Sequence, residues 1–333
     1  MKAQLNTVKK LLATGLACLS LGMFSAASQA EYSQMYVFGD SLSDNGNLRA
    51  FTQNPAIPER FSNGAVAVEL VAAQLGLTLK PSLHLLPPAA TGGIYGNNFA
   101  TASAIAIDAD GNPATPDINL PTQVGAFLQL HGGQAPADAL YVVMIGGNDI
   151  FAARDIMIDG SWNSYKAAYK RVEQASDSVA QQLRTLIASG ARNIAVVNAP
   201  DVGATPNTDL AAAKVKAEAN SLYDYILAYT LESVTRAISS VYNLQLELAV
   251  LNVEDETGVD IKEFDLFAFF DDTVKNSIEY GYTNNTDACV YALTGGGFNP
   301  ECNFDTFVFF DEIHPTAFTH QRAAAGLLPA VKP

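Results

Sequence analysis

The chain has 333 residues and carries 34 acidic against 19 basic side chains, a net charge of −15. That balance excludes nucleic acid as a partner, because its phosphates would be repelled. The length can bury a large core, and no linker, repeat or low-complexity segment divides it, so one domain is expected over residues 31–333.

Residues 1–30 read as an export leader that is removed. Lys2, Lys9 and Lys10 form a basic start, residues 11–24 an apolar stretch, and Ser28-Gln29-Ala30 a small-residue cleavage site. The apolar stretch is too short to span a bilayer, so a secreted or periplasmic protein is expected. Of the three cysteines one lies in this leader, which leaves Cys289 and Cys302 to pair in an oxidising compartment.

Beyond the leader, apolar runs alternate with helical patterns. Residues 35–38, 140–145, 194–197 and 246–253 are short, apolar and rich in β-branched or aromatic side chains, as buried parallel strands are. Helices are expected over 64–75, 161–189 and 208–241. In the second of these, Trp162, Tyr165, Tyr169, Val172, Val179, Leu183, Leu186 and Ile187 recur at three-to-four-residue spacing, with Ser161 as cap and Gly190 as stop. The alternation predicts an α/β fold whose parallel sheet is covered on both faces and binds its ligand at the carboxyl ends of the strands.

Four stretches carry chemistry. Phe38-Gly39-Asp40-Ser41-Leu42-Ser43-Asp44 follows the first strand, where a serine hydroxyl can face a cleft and its N–H can meet a developing oxyanion; the plain alternative is an Asp/Ser turn. The Gly-x-Ser-x-Gly elbow of α/β-hydrolases is missing, which argues against that fold. Gly146-Gly147-Asn148-Asp149 follows the second strand, and an asparagine amide is a neutral donor suited to an oxyanion. In Asp311-Glu312-Ile313-His314-Pro315 a carboxylate three residues before a histidine can reach its Nδ1 and leave Nε2 to take a proton. Gly96-Asn97-Asn98-Phe99-Ala100 offers one more glycine N–H. A metal reading, with Asp40, Asp44 and His314 as ligands or Asp44-Asn45-Gly46-Asn47 as a calcium loop, is set aside because the loop's late glutamate is missing.

Together the four stretches resemble the SGNH (GDSL) hydrolase family, whose blocks stand here in family order from Gly39 to Pro315. The resemblance implies a flavodoxin-like three-layer α/β/α sandwich with a mainly parallel five-stranded sheet, the missing strand lying near residues 82–86. It implies Ser41 as nucleophile, His314 as base, Asp311 as its orienter, and the Ser41 N–H, Gly96 N–H and Asn148 amide as oxyanion donors, with no metal and no cofactor. Arg60-Phe61-Ser62-Asn63-Gly64, Tyr280-Gly281-Tyr282 and Phe309-Phe310-Asp311 resemble segments of plant-type members and of secreted bacterial lysophospholipases and acyltransferases of the family. In membrane-anchored relatives a β-barrel follows the catalytic histidine; nineteen residues follow His314 here, so none is expected.

The resemblance therefore implies a monomeric serine ester hydrolase acting on lipid or small esters, a lysophospholipase A first, with transient contact to a lipid surface. Acyl transfer to an alcohol such as a sterol is the second reading, and a binding protein with a vestigial site the third. Phe264, Phe267, Phe269 and Phe270, with Phe307, Phe309 and Phe310, are candidates for acyl contact. The loop between Cys289 and Cys302, with its three central glycines, is a staple worth about 3 kcal/mol or a lid over the cleft.

Overall fold

The computed structural model describes residues 32–108 and 117–332, and the expected leader 1–30 lies outside them. Its centre is a parallel sheet of four strands: β1 (Met35–Gly39), β2 (Leu140–Met144), β3 (Asn193–Val197) and β4 (Ile261–Phe264), hydrogen-bonded in that order. Met35 pairs with Leu140, Leu140 with Asn193 and Ile194 with Ile261.

Helices fill the crossovers. After β1 come α1 (Asn47–Thr52), α2 (Ala67–Gln74) and α3 (Leu120–Leu130). After β2 come α4 (Gly147–Ile158) and α5 (Tyr165–Ala188), and after β3 come α6 (Pro206–Glu218) and α7 (Leu222–Thr257). Following β4, α8 (Leu266–Lys275) leads to the short strands β5 (Asn284–Ala288), β6 (Val290–Tyr291), β7 (Gly297–Phe298) and β8 (Phe307–Phe309), and α9 (Ala317–Val331) closes the chain.

Successive strand side chains point to opposite faces, so two cores form. Tyr36, Phe38, Tyr141, Val143 and Val196 pack against Phe127 of α3, Leu183 of α5 and Tyr242 and Val250 of α7. Met35, Val37, Val142 and Val197 pack on the other face against Val68 and Val71 of α2 and Leu327 of α9. The result is the expected α/β sandwich with helices on both faces. No helix among the described residues is long and apolar enough to cross a membrane.

Four local expectations are corrected. Residues 246–253 are not a strand but part of α7, where Leu246, Val250 and Val253 are buried at helical spacing; the fourth strand is Ile261–Phe264. A short apolar run satisfies both periods, and here the helix wins because Leu246, Val250 and Val253 continue the buried face that Tyr242 presents to the core, while Leu248 and Leu251 are exposed. The helix expected over 208–241 breaks into α6 and α7 at Ser221, whose hydroxyl accepts the Asp224 N–H while the Asp224 carboxylate accepts the Ser221 N–H. The helix expected from Ser161 starts at Tyr165, because Ser164 Oγ accepts the Ser161 N–H and folds 161–164 into a turn; Trp162, Tyr165 and Tyr169 are exposed. Residues 82–86 are not a fifth strand. Instead residues 97–101 flank β1, with the Phe99 and Thr101 N–H groups donating to the carbonyls of Val37 and Gly39 at 2.7 and 3.1 Å.

Candidate active site

Ser41 stands where the buried strand β1 ends. Asp40 shapes the turn: its carboxylate accepts the Leu42 N–H at 3.0 Å and its carbonyl accepts the N–H groups of Ser43 and Asp44. Among the described residues the Ser41 N–H has no acceptor, so it is left to donate toward the cleft. Asp44 is spent on the backbone. Its two oxygens accept the N–H groups of Gly46, Asn47, Leu48 and Ala102 at 2.7–3.1 Å, which makes it an anchor for α1 rather than an open metal ligand.

Asn148 is delivered by the turn from β2 into α4. That turn needs glycine at 146, where φ is 126° and a Cβ would lie 2.3 Å from the ring of Tyr242. Tyr242 in turn donates its hydroxyl to the Ile145 carbonyl at 2.8 Å, so α7 clamps the turn. The Asn148 amide donates one hydrogen to the Ala104 carbonyl at 2.8 Å, which orients the group and leaves its second hydrogen for a ligand. Ser103, just before Ala104, holds a left-handed backbone with φ 68°, a conformation a serine adopts at a cost.

The third contribution comes from the turn between β8 and α9. Asp311 Oδ1 accepts the N–H groups of Ile313 and His314 at 2.9 and 2.7 Å, and both carboxylate oxygens lie 2.8 Å from His314 Nδ1. His314 Nε2 lies 2.7 Å from Ser41 Oγ, a residue 273 positions away in the chain. Burial pushes the Asp311 carboxyl up, but the His314 charge and these hydrogen bonds outweigh it and hold the group below the usual carboxylate range. Asp40 shows the opposite balance: burial raises it to about 6 against the pull of the Leu42 N–H and His314.

The other histidines stand apart. His84 bonds Ser82, His131 bonds Tyr36 and the Phe127 carbonyl, and His320 accepts the Ala67 N–H. His320 does line the cleft, held neutral by burial at about 3.

Gly96 does not join the group. Its N–H points to the Ser82 carbonyl at 3.4 Å, it is not among the residues lining the cleft, and a Cβ there would lie 2.3 Å from the Pro81 carbonyl oxygen. Glycine is needed at 96 so that two backbone segments can touch, which is a packing requirement. The oxyanion donor expected from Gly96 is thus not delivered by that residue.

The Arg60-to-Gly64 segment is a support whose contacts could not be read from the chain. Phe61 lies against the His314 ring with centroids 5.0 Å apart, the Ser62 hydroxyl donates to the Pro315 carbonyl at 3.0 Å, and Asn63 accepts the Ala317 N–H at 2.8 Å. Arg60 is paired through two nitrogens with Glu69 at 2.7 Å. Local sequence signals nothing of the Phe61, Ser62 and Asn63 contacts, because their partners lie some 250 residues further on.

Ser41, Asn148 and His314 open onto one cleft of about 740 Å³ including its mouth, whose walls are mainly apolar. Of the aromatic candidates Phe269 and Phe270 line it; Phe264, Phe267, Phe307, Phe309 and Phe310 do not. Phe151 of α4 and Leu266 of α8 do, and were not singled out by the sequence. A disulfide joins Cys289 to Cys302 with 5.1 Å between Cα atoms, around the β6–β7 hairpin. Glu312, fully buried between Asp311 and His314, accepts the N–H groups of Ala292, Leu293 and Thr294 at 3.0–3.2 Å and so ties that hairpin to the histidine turn.

The model of the GDSL-like Lipase/Acylhydrolase family matches residues 35–327. Lipase 1 of Photorhabdus luminescens is 27% identical over 93% of this chain, which spans 51% of that protein's length. A GDSL esterase/lipase of Arabidopsis thaliana is 26% identical over 92% of this chain and 89% of its own. A phosphatidylcholine-sterol acyltransferase of Aeromonas hydrophila is 27% identical over 85% and 72%. A match running from β1 into α9 takes in every element that carries the site, and the chain belongs to the GDSL-like lipase/acylhydrolase family.

Proposed function

We propose that the chain is an exported hydrolase of lipid carboxylic esters, a lysophospholipase A in the first place, working through an acyl-enzyme on Ser41. The observation that carries this reading is the file of contacts from Asp311 through His314 to Ser41 at 2.8 and 2.7 Å, at the mouth of an apolar cleft. Ser41 Oγ attacks the ester carbonyl as His314 Nε2 takes its proton, and Asp311 steadies the imidazolium. The Ser41 N–H and the free hydrogen of the Asn148 amide hold the oxyanion of the tetrahedral intermediate. Collapse expels the alcohol, which receives the proton from His314. Water, activated by the same imidazole, then releases the fatty acid. The acyl chain lies against Phe151, Leu266, Phe269 and Phe270. Export rests on the leader-like residues 1–30 and on the disulfide.

Ser41→Ala should remain folded, lose labelling by a fluorophosphonate, and lose turnover by roughly 10⁴-fold or more. A Ser41→Ala variant that still labels or turns over near the native rate would remove Ser41 from the mechanism. Native protein that takes no label would favour a binding protein instead. Transfer of the acyl group to a sterol is the second reading, raised by the Aeromonas relative. Product analysis with lysophosphatidylcholine, and with phospholipid plus sterol, separates the two: free fatty acid alone supports hydrolysis, sterol ester supports transfer.

A further inference from the structure

Apart from the cleft, uncovered apolar surface gathers where the link after α4 meets the first half of α7. Leu222, Tyr225, Ile226 and Tyr229 share one face of α7 at i, i+3, i+4 and i+7, and Leu222 and Tyr229 are 72% and 71% exposed. Trp162, the single tryptophan of the chain, is 58% exposed and packs edge-on to Tyr223 with centroids 5.0 Å apart. Beside them an apolar groove runs between α5 and α7, walled by Met157, Tyr165, Tyr169, Val234 and Val241.

Charge sets this region off from the rest of the molecule. Residues 159–170 and 214–229, which carry the face, hold Lys166, Lys170, Lys214 and Lys216 against Asp159, Glu218 and Asp224, close to balance in a chain whose net charge is −15. Lys216 lies over the ring of Tyr229 at 4.8 Å and Lys166 over that of Tyr165 at 5.9 Å.

We propose that this face seats the enzyme on a lipid–water interface, a role that rests on the reading of the chain as a lipid ester hydrolase. Tryptophan and tyrosine place an apolar body in the acyl region and a polar tip among headgroups. The lysine stems lie along the rings while their ammonium groups meet lipid phosphates. An anionic bilayer repels the acidic remainder of the surface, so the near-neutral aromatic face is the one that approaches. The face also lies one helix away from the chemistry. Helix α4 starts at Asn148 and Phe151 in the cleft and ends at Ile158, four residues before Trp162, so one twelve-residue helix of about 18 Å joins them.

The lone tryptophan makes the test direct. Ser41→Ala protein, which leaves lipid intact, is added to mixed phosphatidylcholine/phosphatidylglycerol vesicles. The protein should sediment with them, and the Trp162 emission should shift to the blue. In the otherwise native chain, Leu222→Asp with Tyr229→Asp should weaken vesicle binding about ten-fold or more and slow hydrolysis of vesicle-held lipid in step. Turnover of a soluble short-chain ester should stay at the native rate. Sedimentation without a tryptophan shift, or vesicle binding unchanged in the double variant, would overturn the proposal. So would self-association of the free protein that the same two substitutions abolish, since a second copy would then cover the face. Absence of soluble-ester turnover in the native chain would count against the hydrolase reading and not against the docking surface.

Discussion

The polar groups around Ser41 are held in place by partners of their own. His314 is turned by Asp311 on one side and braced by Phe61 on its face, so that Nε2 reaches the hydroxyl. Asn148 spends one amide hydrogen on Ala104 and keeps the other. Asn148→Ala should therefore leave substrate binding nearly as it is and lower kcat about 10²–10³-fold, the cost of losing a donor used only in the transition state. Steady-state kinetics on a soluble ester measure this, and a change confined to KM would take Asn148 out of the oxyanion site.

The element that bears most directly on the site is the disulfide-closed hairpin. Its two strands are only two residues each, too short to hold themselves, and Glu312 supplies what they lack by accepting three successive N–H groups from inside the Asp311–His314 turn. Glu312→Ala should destabilise the protein by about 1–3 kcal/mol, because three hairpin N–H groups lose a charged, buried acceptor, and should reduce turnover by loosening the histidine turn. Urea unfolding and kcat together test this. Opening the disulfide should cost about 3 kcal/mol, while turnover of a short-chain ester changes less than in the Glu312 variant. Equal losses in both variants would show the hairpin acting only as a staple.

Across the whole molecule, buried ionisable groups set the response to acid. Burial lowers His84 to about 4 and His320 to about 3, so both stay neutral in the fold while the unfolded chain protonates them below 6.5. The unfolded state then binds more protons, and stability falls as pH drops from 6.5 toward 3. Asp40 and Asp149, raised by burial to about 6, act with the opposite sign: the fold binds protons that the unfolded chain releases, and their effect favours the fold as pH falls from 6 to 3.8. The histidine contribution is isolated by substitution. Between about pH 7 and about pH 4.5 each histidine accounts for roughly 2–3 kcal/mol of lost stability. His320→Gln should lose correspondingly less than the native protein over that interval in urea unfolding, and an unchanged pH dependence would contradict the assignment.

The chemistry-bearing turns could be read from the chain because each is local. A strand followed by Gly-Asp-Ser, a strand followed by Gly-Gly-Asn, and an aspartate three residues before a histidine are patterns of near neighbours, and the structure places Ser41, Asn148 and His314 on one cleft with Asp311 behind the histidine. What failed to show, or showed wrongly, depended on distant partners. Residues 246–253 carry an apolar run that fits either period, and only packing against β2 and α5 selects the helix. Gly96 has a glycine's sequence signal, but whether its N–H meets a ligand or the Ser82 carbonyl is decided by a neighbouring segment. Phe61 gives no local hint that it will brace a ring more than 250 positions away. Residue types and short spacings thus establish which groups can react, since covalent neighbours constrain them directly. Which of them meet, and which apolar side chains wall the cleft, follows from burial shared among segments far apart in sequence, a many-body balance that no local stretch contains.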